Sequence, residues 1–497
     1  MSVLLVGWAD TNFGELVQLQ KGRKPAGLGP RSDSRTVAYI NIAAFETQVI
    51  AEYAPAQDVP VCEPEDTLLV WDGARAGLAG WGASGFIGST LSRLRSAAVI
   101  PGYLYYFISS QFGVLNSQTK GVGIPHIDPV VLAALKFQLP PLAEQTRIVE
   151  KIEELLTDLD AGVAELKAAQ KKLAQYRQSL LKAAVDGSLT AEWRDQNTPT
   201  ETGAQLLTRI LQERCARWEA KQRAKFKDQG KPPPKDWQKK YPEPVQPDTS
   251  DLPELPTGWV WASLDMLGEI ASGVAKGTKR NEKIAVHEVP YLRVANVQRG
   301  FLDLSEVKTI FATPQDISDL VLQDGDVLFN EGGDRDKLGR GWVWREEVTN
   351  CIHQNHVYRM RPALPEVLPE LVSHHGNTFG KSWFKNVGKQ TTNLASINMT
   401  MLRAFPVPLG PEAEQREIRA QLNSQLVGLD QQQQAVELAF KQTAAQRQNI
   451  LRTAFSGQLV PQDPNDEPAS VLLARISSDQ AGGVVKKRRG AKVWEAA

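Results

Sequence analysis

The chain has 497 residues, 42% of them hydrophobic and 23% charged, with 57 basic side chains against 57 acidic ones. That length exceeds what one hydrophobic core serves and calls for two to four folding units of roughly 100 to 200 residues each. The charge balance excludes an argument for nucleic acid from net charge, so any DNA surface must come from local clustering.

Cys62, Cys215 and Cys351 lie far apart with no CxxC spacing, which excludes a disulfide framework and suits a reducing cytoplasm. Met1 to Asp10 has no basic start and no long apolar core, so neither a signal peptide nor a membrane span is expected.

Residues 1–139 read as a mixed domain of short strands and turns, with strands at Val37 to Ile40 and Thr67 to Trp71 and a short helix at Leu104 to Ser110. Pro140-Pro141 stops the apolar run Phe137 to Leu139 and presets a helical first turn. Residues 140–189 then turn helical. Ile148, Ile152, Leu155, Leu159, Val163, Leu166, Leu173 and Leu180 step by threes, fours and sevens, while Glu150, Lys151, Glu154 and Lys167 occupy the other face. This predicts an amphipathic helix of roughly 40 residues, about 60 Å long, with a coiled-coil seam, terminated at Gly187.

Residues 190–255 form a connector. A short, basic, exposed helix is expected from Gln205 to Phe226, followed by a proline-rich stretch that rules out regular structure. Arg214, Arg217, Lys221, Arg223, Lys225, Lys227, Lys231, Lys235, Lys239 and Lys240 dominate it, which reads as a solvated linker, with a phosphate-binding element as the alternative.

Residues 256–407 repeat the first domain in outline. Asp66 to Gly73 resembles Asp326 to Gly332, and Arg93-Leu94-Arg95 resembles Arg359-Met360-Arg361. Residues 408–460 repeat the helix without a gap: Glu144-Gln145 falls on Glu414-Gln415, Ile148 on Ile418, Ile152 on Leu422, Leu159-Asp160 on Leu429-Asp430, Arg177 on Arg447, Leu180 on Ile450 and Gly187 on Gly457. A helix that long cannot bury its stripe alone, and its own repeat is the obvious antiparallel partner. Residues 461–497 read as a tail, disordered after Ile476. Before Val37 the first domain offers no convincing counterpart to Pro256-Thr257-Gly258-Trp259-Val260-Trp261, with only Gly7-Trp8 standing nearby.

Known catalytic motifs do not match these residues. Methyl transfer to adenine calls for a glycine-rich cofactor loop and an Asn/Asp-Pro-Pro-aromatic loop, and neither occurs. Gly273 to Lys279 lacks the order of a P-loop, and Pro247-Asp248 with Glu306-Val307-Lys308 has the wrong spacing for a magnesium nuclease. His353 with His356, and His374-His375, lack partners at ligand spacing and read as packing or DNA contacts. No metal and no catalytic residue is therefore expected.

Pro140-Pro141-Leu142-Ala143-Glu144-Gln145 opening a long helix, its closing run Leu180 to Leu189, Trp259 before a short strand, Asp326 to Phe329, and Gly457 to Pro464 together resemble the specificity subunits of Type I restriction-modification systems. The resemblance spans nearly the whole chain. It implies an α+β fold: two mixed α/β target recognition domains, a pseudo-two-fold internal repeat, and two long helices forming an intramolecular antiparallel coiled coil between them. It further implies a non-catalytic, cytoplasmic DNA-recognition subunit. Each domain would read half of a bipartite duplex target, and the helices would set the spacer. Two N6-adenine methyltransferase subunits and ATP-driven restriction subunits would be the partners, with S-adenosylmethionine, ATP and Mg on those partners and no cofactor here. Spacer and docking roles fall to Glu144, Gln145, Ile148, Ile152, Leu159, Leu180, Glu414, Gln415, Ile418, Leu422, Leu429 and Ile450.

Base reading needs bidentate donors and acceptors, and phosphate contact needs Lys or Arg. The loops of the first domain supply Lys21, Arg23, Arg35, Asn41, Arg75, Ser89, Thr90 and Arg93. Those of the second supply Lys276, Lys279, Arg280, Arg293, Asn296, Gln298, Arg335, Lys337, Gln354, Asn355, Lys389, Gln390 and Asn393. A coiled-coil scaffold whose ends bind proteins is the competing reading, and a fused enzyme carrying its own methyltransferase is a third.

Overall fold

A computed structural model describes residues 5–121, 123–275, 285–333, 337–390 and 395–482. The chain divides into two compact units, residues 1–168 with 436–497 and residues 169–435. Both long helices pass from one unit into the other: Leu142–Val185 and Glu412–Phe455, 44 residues each.

In the first unit the strand Ala9–Asn12 pairs antiparallel with Lys136–Leu139 and closes the domain on itself. A four-stranded sheet has the order Gln18–Lys21, Leu91–Arg95, Thr67–Val70, Ala79–Trp81. A second sheet is built around Val37–Ile40, which runs parallel to Gly85–Ile87. Phe13, Phe107 and Phe137 form an aromatic centre, with Phe107 and Phe137 4.4 Å apart. The same core takes in Ile148, Ile152 and Leu156 from one long helix and Ile450, Leu451 and Ala454 from the other. The helix ends are thus part of the domain's interior.

The second unit repeats the closing strand pair and the four-stranded sheet of this plan, and differs in its smaller sheets. Val260–Ser263 pairs with Pro406–Leu409, and a four-stranded sheet has the order Gly268–Ser272, Val357–Pro362, Val327–Asn330, Gly341–Val343. A further sheet contains His287–Leu292 running parallel to Ile352–His353. Leu180 and Ala184 of the first long helix and Ile418, Leu422 and Leu429 of the second form a cluster with Trp259 and Leu371 at its edge. Along the middle of the first long helix the half-buried positions are Leu159, Val163, Leu166, Ala169, Leu173 and Arg177, spaced by threes and fours as in a two-stranded seam. The helices run antiparallel: Asp160 pairs with Arg447 in the first unit, and Arg177 with Asp430 in the second.

Three expectations need correcting. The basic helix runs Gly203–Asp228, and its first turns are not exposed: Leu206, Leu207 and Ile210 form a stripe buried in the core of the second unit. The proline-rich stretch contains a short 3-10 turn, Trp237–Lys240, because Trp237 has an aromatic surface to fold onto. The region after residue 460 holds the helix Ala469–Gly482, whose Leu472, Leu473 and Ile476 pack on the first core. This helix is the counterpart of Gly203–Asp228. The Ala469 N–H donates to the Gly7 carbonyl at 2.8 Å, as the Gly203 N–H donates to the Gly258 carbonyl at 2.7 Å. The repeat therefore extends past the long helices. Residues 483–497 of the predicted tail lie outside the described residues.

Candidate nucleic-acid interface

The residues shared by the two helix starts explain themselves first. Glu144 accepts the Trp8 indole N–H at 3.0 Å, and Glu414 accepts that of Trp259 at 2.8 Å. Gln145 accepts from the Ile100 N–H at 3.0 Å and donates to the Pro140 carbonyl at 3.1 Å. Gln415 likewise accepts from the Leu368 N–H and donates to the Gly410 carbonyl. Each glutamine thereby ties the start of its long helix to a proline-opened helix of the same domain, Pro101–Ser110 or Pro369–Asn377. Just past each long helix comes a left-handed glycine, Gly187 at φ 77° and Gly457 at φ 70°. A β-carbon there would approach Trp259 to 3.0 Å and Trp8 to 3.1 Å.

Trp8 is therefore the counterpart of Trp259 that the sequence reading missed. The signal was present: each tryptophan follows a glycine of positive φ and immediately precedes a strand. What hid it was the loss of the flanking Pro-Thr.

These contacts also correct the docking assignment. Glu144, Gln145, Ile148, Ile152, Leu180, Glu414, Gln415, Ile418, Leu422, Leu429 and Ile450 are buried, and Leu159 is half-buried. They fasten the helices to their own domains and to each other. The exposed large apolar side chains of the long helices are instead Leu142 and Leu438 in the first unit and Tyr176 and Val427 in the second.

The reader candidates sort by what already holds them. In the first domain Asn41 caps the helix Ile42–Thr47 and donates to Glu52 at 2.8 Å. Arg93 is largely buried, donating to the Val61 carbonyl and to Gln20. Its neighbour Arg95 pairs with Asp66, as Arg361 pairs with Asp326 in the repeat. Asn41 and Arg93 thus serve the fold, because their donors are consumed inside it. Lys21 pairs with Asp72 at 3.1 Å and stands over the Trp71 ring, Arg23 donates to the Asp58 carbonyl, Arg35 to the Gly27 carbonyl, and Arg75 pairs with Glu46. Ser89 is exposed and Thr90 half-buried at the turn into Leu91–Arg95.

In the second domain Asn296 is another correction. It is buried, and its amide braces the loop by donating to the Asp303 and Glu306 carbonyls, both at 2.9 Å. Arg293 pairs with Glu306 at 3.0 Å, Gln298 donates to the Ala295 carbonyl, and Lys337 is half-buried and partnered. Gln354 and Asn355 sit beside the exposed His356, whose Nδ1 meets Glu331. Lys389 and Gln390 form a short strand against Ala395–Ser396. Lys276, Lys279, Arg280, Arg335 and Asn393 lie outside the described residues.

His353, His374 and His375 are buried, and burial pulls each down to about 4. They are neutral packing groups: His353 hydrogen-bonds the Val357 carbonyl through Nδ1, and His375 the Pro406 carbonyl through Nε2. Among the described residues no group of acidic, histidine or cysteine side chains is arranged to hold a metal ion.

The family model of the Type I restriction modification DNA specificity domain matches residues 6–171. The specificity subunit of the Type I enzyme EcoDI of Escherichia coli is 22% identical over 97% of this chain and 98% of its own. The EcoKI specificity subunit of Escherichia coli K12 is 24% identical over 78% of this chain and 74% of its own. The chain is similar to Type I specificity subunits over most of its length. Its fold agrees with a solved structure, described as the basis of complex assembly and conformational transition of the Type I system, at a TM-score of 0.61 and 18% identity. That match covers 92% of this chain and all of the other. The solved structure thus shares the fold over most of this chain.

Proposed function

We infer that the chain is the DNA-recognition subunit of a Type I restriction-modification complex, and that its two mixed domains each read one half of a split duplex target. The observation that carries this is the repeat itself. Two domains share a closing strand pair and a four-stranded sheet, one tryptophan–glutamate anchor and one glutamine clamp, yet differ in the segments where Gln354, Asn355, Lys389 and Gln390 stand against Lys21, Arg23, Arg75 and Ser89. Equal frames with unequal loops suit two readers of different half-sites, and a pair of helices in fixed register suits a constant spacer.

In this reading the methyl transfer, cleavage and translocation chemistry belongs to partner subunits, two of them methyltransferases, and S-adenosylmethionine, ATP and Mg act there. None of the described helices is long and apolar enough to cross a membrane, which fits a cytoplasmic complex. A protein-binding scaffold would not require the loop divergence. The test is to co-express the chain with its methyltransferase subunit and map N6-methyladenine genome-wide. A single bipartite motif with a constant spacer is expected. Scattered methylation, or equal binding of target and scrambled duplex at physiological salt, would refute the reading.

A further inference from the structure

We propose that the distal half of the helix Gly203–Asp228, with the segment that folds back on it to residue 240, is a sequence-independent contact for the phosphate backbone of duplex DNA. It is distinct from the loops that read bases. The proposal rests on the reading of this chain as a DNA-recognition subunit.

The first observation is where the charge lies. The chain is neutral overall, yet residues 203–240 hold eleven Lys and Arg against four Asp and Glu. The second is how those charges are used. The arginines are engaged: Arg209 with Glu201 and Glu366, Arg214 with Asp265 at 3.0 Å, Arg217 with Glu213, Arg223 with Glu219. Lys221, Lys225, Lys227, Lys231, Lys235 and Lys240 are exposed, and no carboxylate lies at ion-pair distance from any of them among the described residues. A surface built only for solubility would intersperse the two signs, and its lysines would find neighbours at i±4 as the arginines do.

The third observation is that the array is held. The segment after the helix turns back so that Trp237 stacks on Trp218 at 5.6 Å, with Phe226 edge-on at 5.8 Å and the Arg223 guanidinium over its ring at 5.7 Å. Tyr241 meets Trp218 edge-on at 5.5 Å, and Gln238 donates to Glu219. The aromatic side chains thus face inward and the lysines outward. That composition decides between partners. Protein interfaces concentrate aromatic residues and exclude lysine, whereas phosphate contacts use lysine as a point charge on a flexible stem. A fixed backbone beneath the lysines lowers the ordering cost of meeting a regular row of phosphates.

The experiment uses the full-length chain in its complex with the methyltransferase subunit. Affinity for a target duplex and for a scrambled duplex is measured from 50 to 200 mM salt, for the wild type and for a variant carrying Lys221→Gln, Lys225→Gln, Lys227→Gln and Lys231→Gln. Each lost phosphate contact should reduce the slope of log affinity against log salt by about 0.9, so by up to about 3 to 4 in the variant. Target and scrambled duplexes should weaken by the same factor, and the four Lys→Arg changes should restore the slope. An unchanged slope overturns the proposal. So does a changed target-to-scrambled ratio, which would make the arm a base reader, or a loss of methyltransferase assembly at unchanged slope, which would make it a protein-docking face. If the wild type itself fails to prefer its target, the recognition reading falls, while the scrambled-duplex slopes still judge the arm.

Discussion

The carboxylate of Glu144 accepts the Trp8 indole N–H at 3.0 Å through one oxygen and buries the other without a hydrogen-bond partner. Its repeat, Glu414, is served on both sides, by Trp259 on one oxygen and by Thr190 and Arg194 on the other. One anchor has therefore diverged into two electrostatic situations. Burial pushes the Glu144 carboxyl above the usual carboxylate range, whereas Glu414 carries a guanidinium partner.

From this asymmetry, Glu144→Gln should leave unfolding stability at pH 7 within about 1 kcal/mol of wild type, because the amide oxygen still accepts from Trp8. Glu414→Gln should cost roughly 2 to 4 kcal/mol, since it leaves Arg194 half-buried without its counter-charge. Urea denaturation of the two variants makes the comparison. The sign with pH follows from a folded pKa raised above the unfolded one. The Glu144 contribution is full in acid and is lost as pH rises through the folded value. The Glu144→Gln variant should accordingly gain on wild type from pH 4 to pH 7, and equal losses for both substitutions would contradict the account.

Acid should act on the second unit first. His353, His374 and His375 all belong to it, and each has a folded pKa of about 4 against an ordinary 6.5. The unfolded chain therefore binds more protons between these values. The stability these groups support is present above pH 6.5 and falls as pH drops toward 4, by roughly 1 kcal/mol each at pH 5.5. Hydrogen exchange at pH 7 and pH 5.5 should show protection lost in Pro369–Asn377 before Pro101–Ser110. Simultaneous loss in both helices would count against it.

Gln354 and Asn296 should separate reading from bracing. Gln354→Ala removes a half-buried amide and should cost about 1 to 3 kcal/mol of discrimination at one base pair of one half-site, with stability unchanged. Asn296→Ala unties two carbonyls and should lower stability by a similar amount, with the motif intact wherever protein remains folded. Methylation mapping beside thermal melting reads both. A stable Asn296→Ala protein with a relaxed motif would reverse the assignment.

The long helices were legible because their pattern is written twice in one register, and because a 44-residue amphipathic stripe leaves few alternatives. The strands that follow Asp66 and Asp326 were legible for the same reason, since both stretches are written twice, and the structure adds the arginines that answer the two aspartates. Trp8 was not, because its role is set by Glu144, 136 residues away, and by Gly457 further still. The helix Ala469–Gly482 was missed because its described apolar stripe, Ala469, Leu472, Leu473 and Ile476, is short and means something only once Gly7 is seen to receive its first N–H. Reader residues resist prediction on principle. Asn41, Asn296 and Gln354 have the same chemistry in sequence, and only the partners that the fold supplies tell a cap and a brace from a free amide.

The ion pairs Asp160–Arg447 and Arg177–Asp430 are images of each other, since Asp160 aligns with Asp430 and Arg177 with Arg447. Both reach solvent and each is worth no more than about 1 kcal/mol, so their value is as register marks. The same number of residues, 17, separates Asp160 from Arg177 on one helix and Asp430 from Arg447 on the other. Lengthening one helix alone must therefore break one pair or bulge the seam. Four residues inserted after Ala168 together with four after Leu438 keep both pairs, and add about 6 Å to each helix, the rise of little more than one turn. At about 3.4 Å per base pair that is one to two base pairs. Methylation sequencing of the double insertion should return the original half-sites with the spacer longer by that amount, while the single insertion should lose methylation. If the double insertion kept the original spacer, the helices would not be setting it.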